Sequence, residues 1–477
     1  MPTLHTTAST PSKTRTLIFG TGNASTGIES ECAERGLEIV GYIDNSPGKI
    51  GKSRMGKPIS HPSIVQQHAF DLVVTASASH EAMKSQLLEL GVQEEKIISA
   101  RPTPSKWFSQ EILSYFKHTL GEDAETLRTE KLSFPIEGKE TNNIPRPTSE
   151  SDDNALVERI FKAYCAAKNN LAQAPDCYRP GENWHHFLTT SRPNFYQAIE
   201  SGDTDTLRSL LNNFARNELS SGILGGEEGF NAFINTSSTT DLVEYFSIWA
   251  HSIGDAPIHE VASPPIGNPY GYRVDGHTII PNSFLNHYRA SMLHQLIPLS
   301  SEITIAEIGG GFGGLGYSLL QRNDKTKYLN FDLPENLVVS AYYLGSLFPE
   351  KRIYLYDGAN DIQEKLDDYD IFLLPNFSLA HFDRRTIDIF VNTISFSEMD
   401  YASIVEYLRK INEVTKHYFY QENLLHNRMQ YKYYPTSTFP ELSNFRRIYK
   451  SPSRWPFFSV NSHCHVHGEE LFINTQK

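Results

Sequence analysis

The feature that most constrains the fold is a run of glycines directly after an apolar, β-branched stretch. In "ITIAEIGGGFGGLGYSLL", which starts at Ile303, five glycines lie between Gly309 and Gly314. A strand, a glycine-rich turn and a helix in this order form the first crossover of a parallel α/β sheet, where the backbone closely approaches a ligand. The stretch predicts a ligand site but does not by itself choose the ligand.

Apolar runs alternate with helical stretches in two parts of the chain, and a helical region separates them. Near the N-terminus the predicted strands are "TLIFG", "LEIVGYID" and "DLVVTAS"; after Glu302 they are "ITIAEIGG", "KYLNFDLP", "RIYLYDG", "DIFLLPN" and "HYFYQEN". Sustained βα alternation predicts an α/β protein with two doubly wound, Rossmann-like domains. The predicted boundaries are 1–120 for the first domain, 121–154 for a linker, 155–300 for the helical region and 301–477 for the second domain.

Length and composition limit the class of protein. A chain of 477 residues is too long for one ordinary core. A net charge of -13 disfavours nucleic acid as a partner, because phosphate backbones need a basic surface. The four cysteines show no CxxC pairing, and no apolar run reaches roughly the 18 residues of a transmembrane helix. We therefore expect a cytoplasmic protein without a membrane span.

Polar residues follow the predicted strands of the second domain. Glu307 lies two residues before Gly309, where it would repel a pyrophosphate and suit a cationic amino group or sulfonium. Asp332 follows the glycines by about twenty residues, where a carboxylate accepts hydrogen bonds from a ribose. Asp357 and Asn376 end the next two predicted strands. Carboxyl ends of parallel strands share one edge of a sheet, so these side chains are expected at one ligand site.

The order of glycines, ribose carboxylate and adenine-side carboxylate resembles that of class I S-adenosylmethionine-dependent methyltransferases. The resemblance implies S-adenosylmethionine as the cofactor and 301–477 as the methyltransferase domain. The residues that it implies for cofactor binding are Glu307, Gly309, Gly310, Gly311, Phe312, Gly313, Asp332, Leu333, Asp357, Gly358 and Asn376.

A narrower resemblance covers roughly the last two-thirds of the chain. The segments "EIGGGFGGLGYSLL", "FDLPENLVVSAYYLG", "LLPNFSL" and "NTISFSEM" are similar to the sugar O-methyltransferase family found in bacterial surface-polysaccharide gene clusters. This resemblance implies methylation of a sugar hydroxyl, on a nucleotide-linked sugar or a glycan precursor. It identifies neither the sugar nor the hydroxyl.

A neutral sugar hydroxyl is a poor nucleophile, so a general base or a metal should help to remove its proton. We consider His381 and Glu398 as candidate bases, and the residues expected to contact the substrate are Tyr288, Arg289, Asn392 and Ser397. The alternative for each is a structural role, as a helix cap or a surface residue. No metal ligands are predicted, and metal dependence stays open.

A second glycine loop lies near the N-terminus. The stretch "FGTGNASTG" supplies Gly20, Gly22, Asn23 and Gly27, and Asp44 ends the next predicted strand. The spacing GxGxxxxG is one residue longer than the dinucleotide fingerprint, which weakens an interpretation as an NAD site.

The segment "GYIDNSPGKIGKSRMGKPISHPS" resembles the Rossmann-like N-terminal domains of bacterial sugar acetyltransferases, which bind a nucleotide-sugar. The resemblance adds Ser77 to the expected ligand residues. Three alternatives stay open: a docking or homo-oligomerisation module without ligand, an NAD-dependent sugar oxidoreductase or epimerase, and a non-catalytic nucleotide-sugar-binding module. The absence of a Tyr-x-x-x-Lys pair from residues 1–120 disfavours the oxidoreductase.

Overall fold

The computed structural model describes residues 14–21, 37–76, 80–99, 136–144, 150–237, 256–297, 301–427, 434–453 and 465–476, with isolated residues between 29 and 32 and between 242 and 253. The chain divides into two compact units, residues 1–108 with 460–465 and residues 109–459 with 466–477. The helical region and the second α/β domain, predicted as separate domains, belong to one unit.

The first unit contains a six-stranded sheet of order β3-β4-β2-β1-β5-β6. Its strands are β1 (Arg15–Phe19), β2 (Glu38–Ile43), β3 (Ser53–Arg54), β4 (Lys57–Ser60), β5 (Leu72–Thr75) and β6 (Ile97–Ser99). Helix α1 (His80–Glu89) follows β5. All neighbours are parallel except the β3–β4 pair. The three strands predicted here are confirmed, and the helix predicted after β1 lies largely outside the described residues.

Within the residues that the structure describes, the helical region supplies six helices to the second unit. They are α2 (Glu150–Leu171), α3 (Glu182–Ser191), α4 (Pro193–Ser201), α5 (Thr204–Asn212), α6 (Gly226–Thr236) and α7 (Pro281–His294). Helix α2 buries Val157, Ile160 and Tyr164, which recur at helical spacing and pack in the same core as the helices that flank the second sheet. The helical region thus has no separate core.

The predicted linker contains a strand. Strand β7 (Ile136–Glu140) pairs antiparallel with β8 (Gly271–Val274), which pairs with β9 (His277–Ile279). The Arg273 guanidinium contacts the carboxylates of Glu137 and Glu140 across the β7–β8 pair. The sequence alone does not indicate β7, because its pairing partner β8 lies more than a hundred residues away in the chain. Strands β8 and β9 lie within the helical region.

The second sheet has eight strands of order β12-β13-β11-β10-β14-β15-β17-β16. They are β10 (Ile303–Ile308), β11 (Thr326–Asp332), β12 (Ile353–Leu355), β13 (Ile371–Pro375), β14 (Ile387–Thr393), β15 (Thr415–Asn427), β16 (Phe445–Pro452) and β17 (His465–Asn474). Helices α8 (Gly314–Arg322), α9 (Pro334–Leu347) and α10 (Tyr401–Val414) connect them. The α/β fold class is confirmed.

Strand β14 was not predicted from the sequence. It pairs with β10 near the centre of the sheet. Strand β13 pairs with β11, and β12 lies outside β13 at the edge. The neighbours of the two central strands are therefore β13 beside β11 and β14 beside β10. Within the described part of the chain, no helix combines the length and the apolar character needed to cross a bilayer.

Candidate functional site

The glycine turn after β10 has a backbone that other residues adopt only with strain. Gly311 has φ +57° and Gly313 has φ +90°, both in the left-handed region. Gly313 directly precedes α8, so the chain reverses and enters the helix within one turn. The turn thus stays close to the carboxyl ends of β10 and β11.

Two side chains of β11 hold this turn by its backbone. The Gly311 N–H donates to Asp332 Oδ2 at 2.8 Å, and the Gly310 N–H donates to Asn330 Oδ1 at 3.2 Å. Asn330 and Asp332 are two residues apart on one strand and therefore point to the same face. The sequence analysis identified Asp332 but not Asn330.

Asp332 is a buried carboxylate surrounded by hydrogen-bond donors. Its Oδ1 accepts from the Leu333 N–H at 2.7 Å and from Asn336 Nδ2 at 3.0 Å. Burial nevertheless raises the pKa of Asp332 to about 6, although these hydrogen bonds and the Arg192 charge oppose the rise. The pKa of this carboxyl therefore lies above the usual value of an aspartate.

Glu307 is the second buried carboxyl at this edge. It accepts from the Tyr328 hydroxyl at 2.6 Å and from Thr393 Oγ1 at 3.4 Å. Burial raises the pKa of Glu307 to about 7. A cationic group bound beside Glu307 and Asp332 would favour their ionised forms, whereas a phosphate would oppose them.

Arg192, which the sequence analysis missed, reaches this cluster from the start of α4. Its side chain is fully buried, and its Nη2 donates to Asn336 Oδ1 at 3.0 Å and to the Ser221 carbonyl at 2.9 Å. In the described part of the chain its Nε and Nη1 have no hydrogen-bond partner. Arg192 thus connects the helical region to Asp332 through Asn336.

The turn after β14 contains a strained residue. Ile394 has φ +71° and ψ −32°, a backbone conformation that is rare for a β-branched residue and costs about 1–3 kcal/mol. The Ile394 N–H donates to the Glu422 carbonyl at 2.6 Å, and Ser395 Oγ donates to the Ile308 carbonyl at 3.1 Å. The strain is therefore held in place against the end of β10, beside the glycine turn.

We expect the usual order of alanine and glycine to be reversed at this position. In an ordinary strand or helix, glycine is less stable than alanine by about 0.5–1 kcal/mol. Here only glycine adopts the backbone without strain, so Ile394→Gly should be more stable than Ile394→Ala by about 1 kcal/mol. Urea unfolding of both variants measures the difference, and equal or reversed stabilities would contradict the strain.

Glu398 ends the short 3₁₀ helix Ser395–Glu398 that follows this turn. Its side chain is exposed, yet the surrounding protein desolvates the carboxyl and raises its pKa to about 7. Its carboxyl forms no hydrogen bond with any residue that the structure describes. Glu398 is therefore free to accept a proton near neutral pH.

The four residues expected to contact the substrate are engaged inside the fold. Asn392 Nδ2 donates to the Ile308 carbonyl at 3.0 Å, and Ser397 Oγ accepts from the Leu424 N–H at 2.9 Å. Arg289 is buried in an ion pair with Glu422, and the Tyr288 hydroxyl donates to Glu469 at 3.2 Å.

The hydrogen bonds of these four residues link β14 to β10, the segment after β14 and α7 to β15, and α7 to β17. A substrate contact for any of them stays a prediction, and it would require these hydrogen bonds to be exchanged.

Four predicted residues follow β12 and β13, on the side of β11 away from β10. Asp357 and Gly358 follow the edge strand β12, and Asp357 contacts Tyr354 and Lys365. Asn376 Nδ2 donates to the Tyr178 carbonyl at 2.7 Å and to the Tyr407 hydroxyl at 2.9 Å. His381 is exposed, and its pKa is lowered by partial burial and by Lys410. Because β13 and not β14 precedes His381, two strands, β11 and β10, lie between the strand that leads to His381 and the strand that leads to Glu398.

The first unit also contains a hydrogen bond between a glycine-containing loop and the carboxylate that follows the next strand. Asp44, at the end of β2, accepts from the Thr21 N–H at 3.0 Å, as Asp332 accepts from Gly311. Lys49 also contacts Asp44 at 3.2 Å. Although burial opposes the effect, hydrogen bonds from Thr21, Ser46 and Lys49 hold the pKa of Asp44 far below its usual range. Asp44 thus forms an ion pair with Lys49, whereas Asp332 forms no ion pair with any residue that the structure describes.

Gly20 has φ +103°, and a side chain there would approach the Ala76 carbonyl within 2.8 Å, so glycine is required at the start of this loop. The other residues predicted to bind a nucleotide lie outside the described residues: Gly22, Asn23, Gly27 and Ser77. A ligand in the first unit stays a prediction.

The chain was compared with protein families. Residues 12–98 match the family model described as C2185-like, N-terminal. This match lies within the first unit and includes no part of the second. No curated protein matches the chain.

Several solved methyltransferases are distantly similar to the chain. Magnesium protoporphyrin IX methyltransferase from Synechocystis PCC 6803, with bound SAM, is 8% identical, with 51% of this chain and 94% of that chain covered and a TM-score of 0.29. Mitomycin 7-O-methyltransferase is 14% identical, with 66% and 94% covered and a TM-score of 0.27. Geranyl diphosphate methyltransferase in complex with SAM is 10% identical, with 40% and 85% covered and a TM-score of 0.27. Similarities this low establish neither the family nor the substrate of this chain.

Proposed function

We propose that the chain is an S-adenosylmethionine-dependent O-methyltransferase that acts on a sugar hydroxyl, on a nucleotide-linked sugar or a glycan precursor in polysaccharide biosynthesis. One observation carries the proposal: the glycine turn after β10 is held by the carboxylate of Asp332, with buried Glu307 beside it. The sugar rests on the sequence resemblance of "FDLPENLVVSAYYLG" and "NTISFSEM".

The charges of the site favour this cofactor over a dinucleotide. S-adenosylmethionine carries a sulfonium and an ammonium group, which suit a site with two carboxyls of raised pKa. Asp332 Oδ2 keeps acceptor capacity for ribose hydroxyls after its bond to Gly311. A pyrophosphate would meet like charges at the same place. The residues present therefore fit the proposed cofactor.

The chain's own part in the reaction is to place the acceptor and accept its proton. The bound cofactor would supply a methyl group on sulfur, which passes to the sugar oxygen as the oxygen loses its proton. Glu398, whose carboxyl has a pKa of about 7, is the group we assign to accept that proton. The strained turn at Ile394 fixes the start of the segment that presents Glu398.

The proposal is tested by calorimetric titration of the purified chain with S-adenosylhomocysteine, followed by methyl-transfer assays with nucleotide-sugars and methyl glycosides. We expect micromolar binding and transfer to at least one hydroxyl-bearing acceptor, with and without EDTA to settle metal dependence. Absence of S-adenosylhomocysteine binding would overturn the cofactor assignment. Binding without transfer to any acceptor would instead favour a non-catalytic binding protein.

Arg192 should affect the cofactor site through its charge. Its guanidinium lowers the pKa of Asp332, so Arg192→Met should raise that pKa further and move the pH dependence of S-adenosylhomocysteine binding to higher pH. We expect about tenfold weaker binding near pH 7 and recovery at higher pH. Arg179→Met, at an exposed arginine of the same region, is the control. An unshifted pH profile would show that Arg192 only packs.

A further inference from the structure

Helix α3 lies across the carboxyl edge of the second sheet. At its start, a side chain on Gly181 would meet the Asp400 carboxylate within 2.7 Å, so Gly181 packs against the segment that follows β14. At its end, Arg192 donates to Asn336 Oδ1 at 3.0 Å, in the first turn of the helix that follows β11. Strand β10 lies between β14 and β11. Helix α3 therefore extends from one side of the glycine turn to the other.

Two neighbouring residues, Gly222 and Ile223, connect α3 to the glycine turn. A side chain on Gly222 would approach Phe187 within 2.8 Å and Trp184 within 3.2 Å. A side chain on Gly311 would approach Ile223 within 3.0 Å. Because Trp184 and Phe187 are three residues apart, they lie on the same face of α3. That face is therefore turned toward the residues that contact the glycine turn.

Trp184 combines an apolar ring with a polar group at this edge. Its side chain is half-buried, and the Phe187 ring packs against it edge to face, with the ring centroids 5.5 Å apart. Its Nε1 N–H has no hydrogen-bond partner among the residues that the structure describes. Gly222, Glu398 and Asp400 are exposed. This part of the edge is thus open to solvent, and a ligand needs no enclosed cavity to reach Trp184.

We propose that Trp184 binds the sugar ring of the acceptor; this inference rests on the proposed function. The reacting hydroxyl has to reach both the cofactor, at the glycine turn, and Glu398, in the segment after β14. Helix α3 extends to both places, so Trp184 borders the space between them. The sugar must occupy that space for its hydroxyl to react.

The chemistry of these residues favours the sugar ring over a phosphate of the acceptor. The C–H face of a sugar ring is apolar and packs on an indole ring, while a neighbouring hydroxyl accepts from the Nε1 N–H. The exposed carboxylates of Glu398 and Asp400 would repel a phosphate. The binding energy gained by holding the ring helps to orient the reacting hydroxyl.

The test replaces the indole ring without removing the apolar packing of α3. Trp184→Leu keeps an apolar side chain, and Trp184→Tyr keeps an aromatic ring with a polar group. His186→Gln, at an exposed position of the same helix two residues away, is the control. Saturation-transfer NMR titrations with a panel of methyl hexosides, in the presence of S-adenosylhomocysteine, measure sugar affinity. We expect about a tenfold loss of affinity in Trp184→Leu, and a change of less than about threefold in Trp184→Tyr and His186→Gln.

Calorimetry with S-adenosylhomocysteine on the same proteins separates this inference from the proposed function. Unchanged S-adenosylhomocysteine affinity in Trp184→Leu, together with the loss of sugar affinity, supports the sugar contact and shows that the variant is folded. If Trp184→Leu loses both affinities, Trp184 has a structural role and the inference fails.

Two further outcomes would also overturn the inference. If Trp184→Leu binds hexosides as the wild type does, or if no hexoside binds a wild type that binds S-adenosylhomocysteine, the sugar contact is wrong while the cofactor assignment stands. If S-adenosylhomocysteine does not bind the wild type, the proposed function fails, whatever the sugar signals show.

Discussion

Asp332→Asn is expected to weaken S-adenosylhomocysteine binding by about 100-fold at pH 8. Two charge-assisted hydrogen bonds to ribose hydroxyls are worth about 3 kcal/mol together, which corresponds to that factor. The amide also cannot accept from Gly311, Leu333 and Asn336 as the carboxylate does, so the glycine turn loosens. The free energy of unfolding should fall by about 1–3 kcal/mol. Calorimetry and urea unfolding measure the two effects.

The pH dependence gives a second readout for Asp332. Because its pKa is raised to about 6, the wild-type carboxyl is protonated at pH 5 and ionised at pH 8. Ligand hydroxyls need the ionised form as acceptor, so wild-type affinity should rise across this range. In Asp332→Asn the rise should shrink to the part that Glu307 contributes. Asp383→Asn, at an exposed acid, is the control. If Asp332→Asn binds S-adenosylhomocysteine with the affinity and the pH dependence of the wild type, Asp332 does not accept hydrogen bonds from the ribose.

Glu398→Gln is expected to reduce kcat by about 10²–10⁴-fold, the range that general bases contribute. The affinity for S-adenosylhomocysteine should change less than twofold, because Glu398 belongs to the segment after β14 and not to the glycine turn or to β11. Wild-type activity should rise with pH and level off above about 7, where the carboxyl is ionised. The glutamine variant should lose this rise. Initial rates of methyl transfer between pH 5.5 and 9 test the expectation.

Two variants serve as controls for Glu398. Glu413→Gln removes a charge that pairs with Arg409 on the exposed face of α10, and it should leave kcat unchanged. His381→Asn tests the other candidate base, which follows β13 and not β14. We expect little effect on kcat from His381→Asn. A large loss there, with an active Glu398→Gln variant, would transfer the role of base to His381.

The sequence predicted those elements whose pattern is local. Strands β10, β11 and β13 are short apolar runs followed by turn residues, and all are buried in a parallel sheet. The glycine turn and Asp332 were also found, because their spacing reflects one crossover between neighbouring strands. Local periodicity was enough to identify this part of the site.

What escaped prediction depends on contacts between distant residues. Strand β14 carries Asp388 and Asn392 among its apolar residues, which weakens its apolar pattern, although both side chains are satisfied by β10. Arg192 lies 144 residues from Asn336, and no local pattern joins them. The positive φ of Ile394 could not be predicted, because β-branched residues rarely adopt it. All three features depend on which elements become neighbours in the folded chain.

The order of strands in the second sheet also has a consequence for the nascent chain. Strand β12 is made before β13 but joins the sheet only through β13, and β10 gains its second neighbour only when β14 has been made. While residues 309–386 leave the ribosome, β10 therefore has an open edge, which can template pairing with other chains. Translation that stops before residue 387 releases a chain whose central strand lacks a partner on that side. We therefore expect the solubility of the chain to depend on whether synthesis has passed β14.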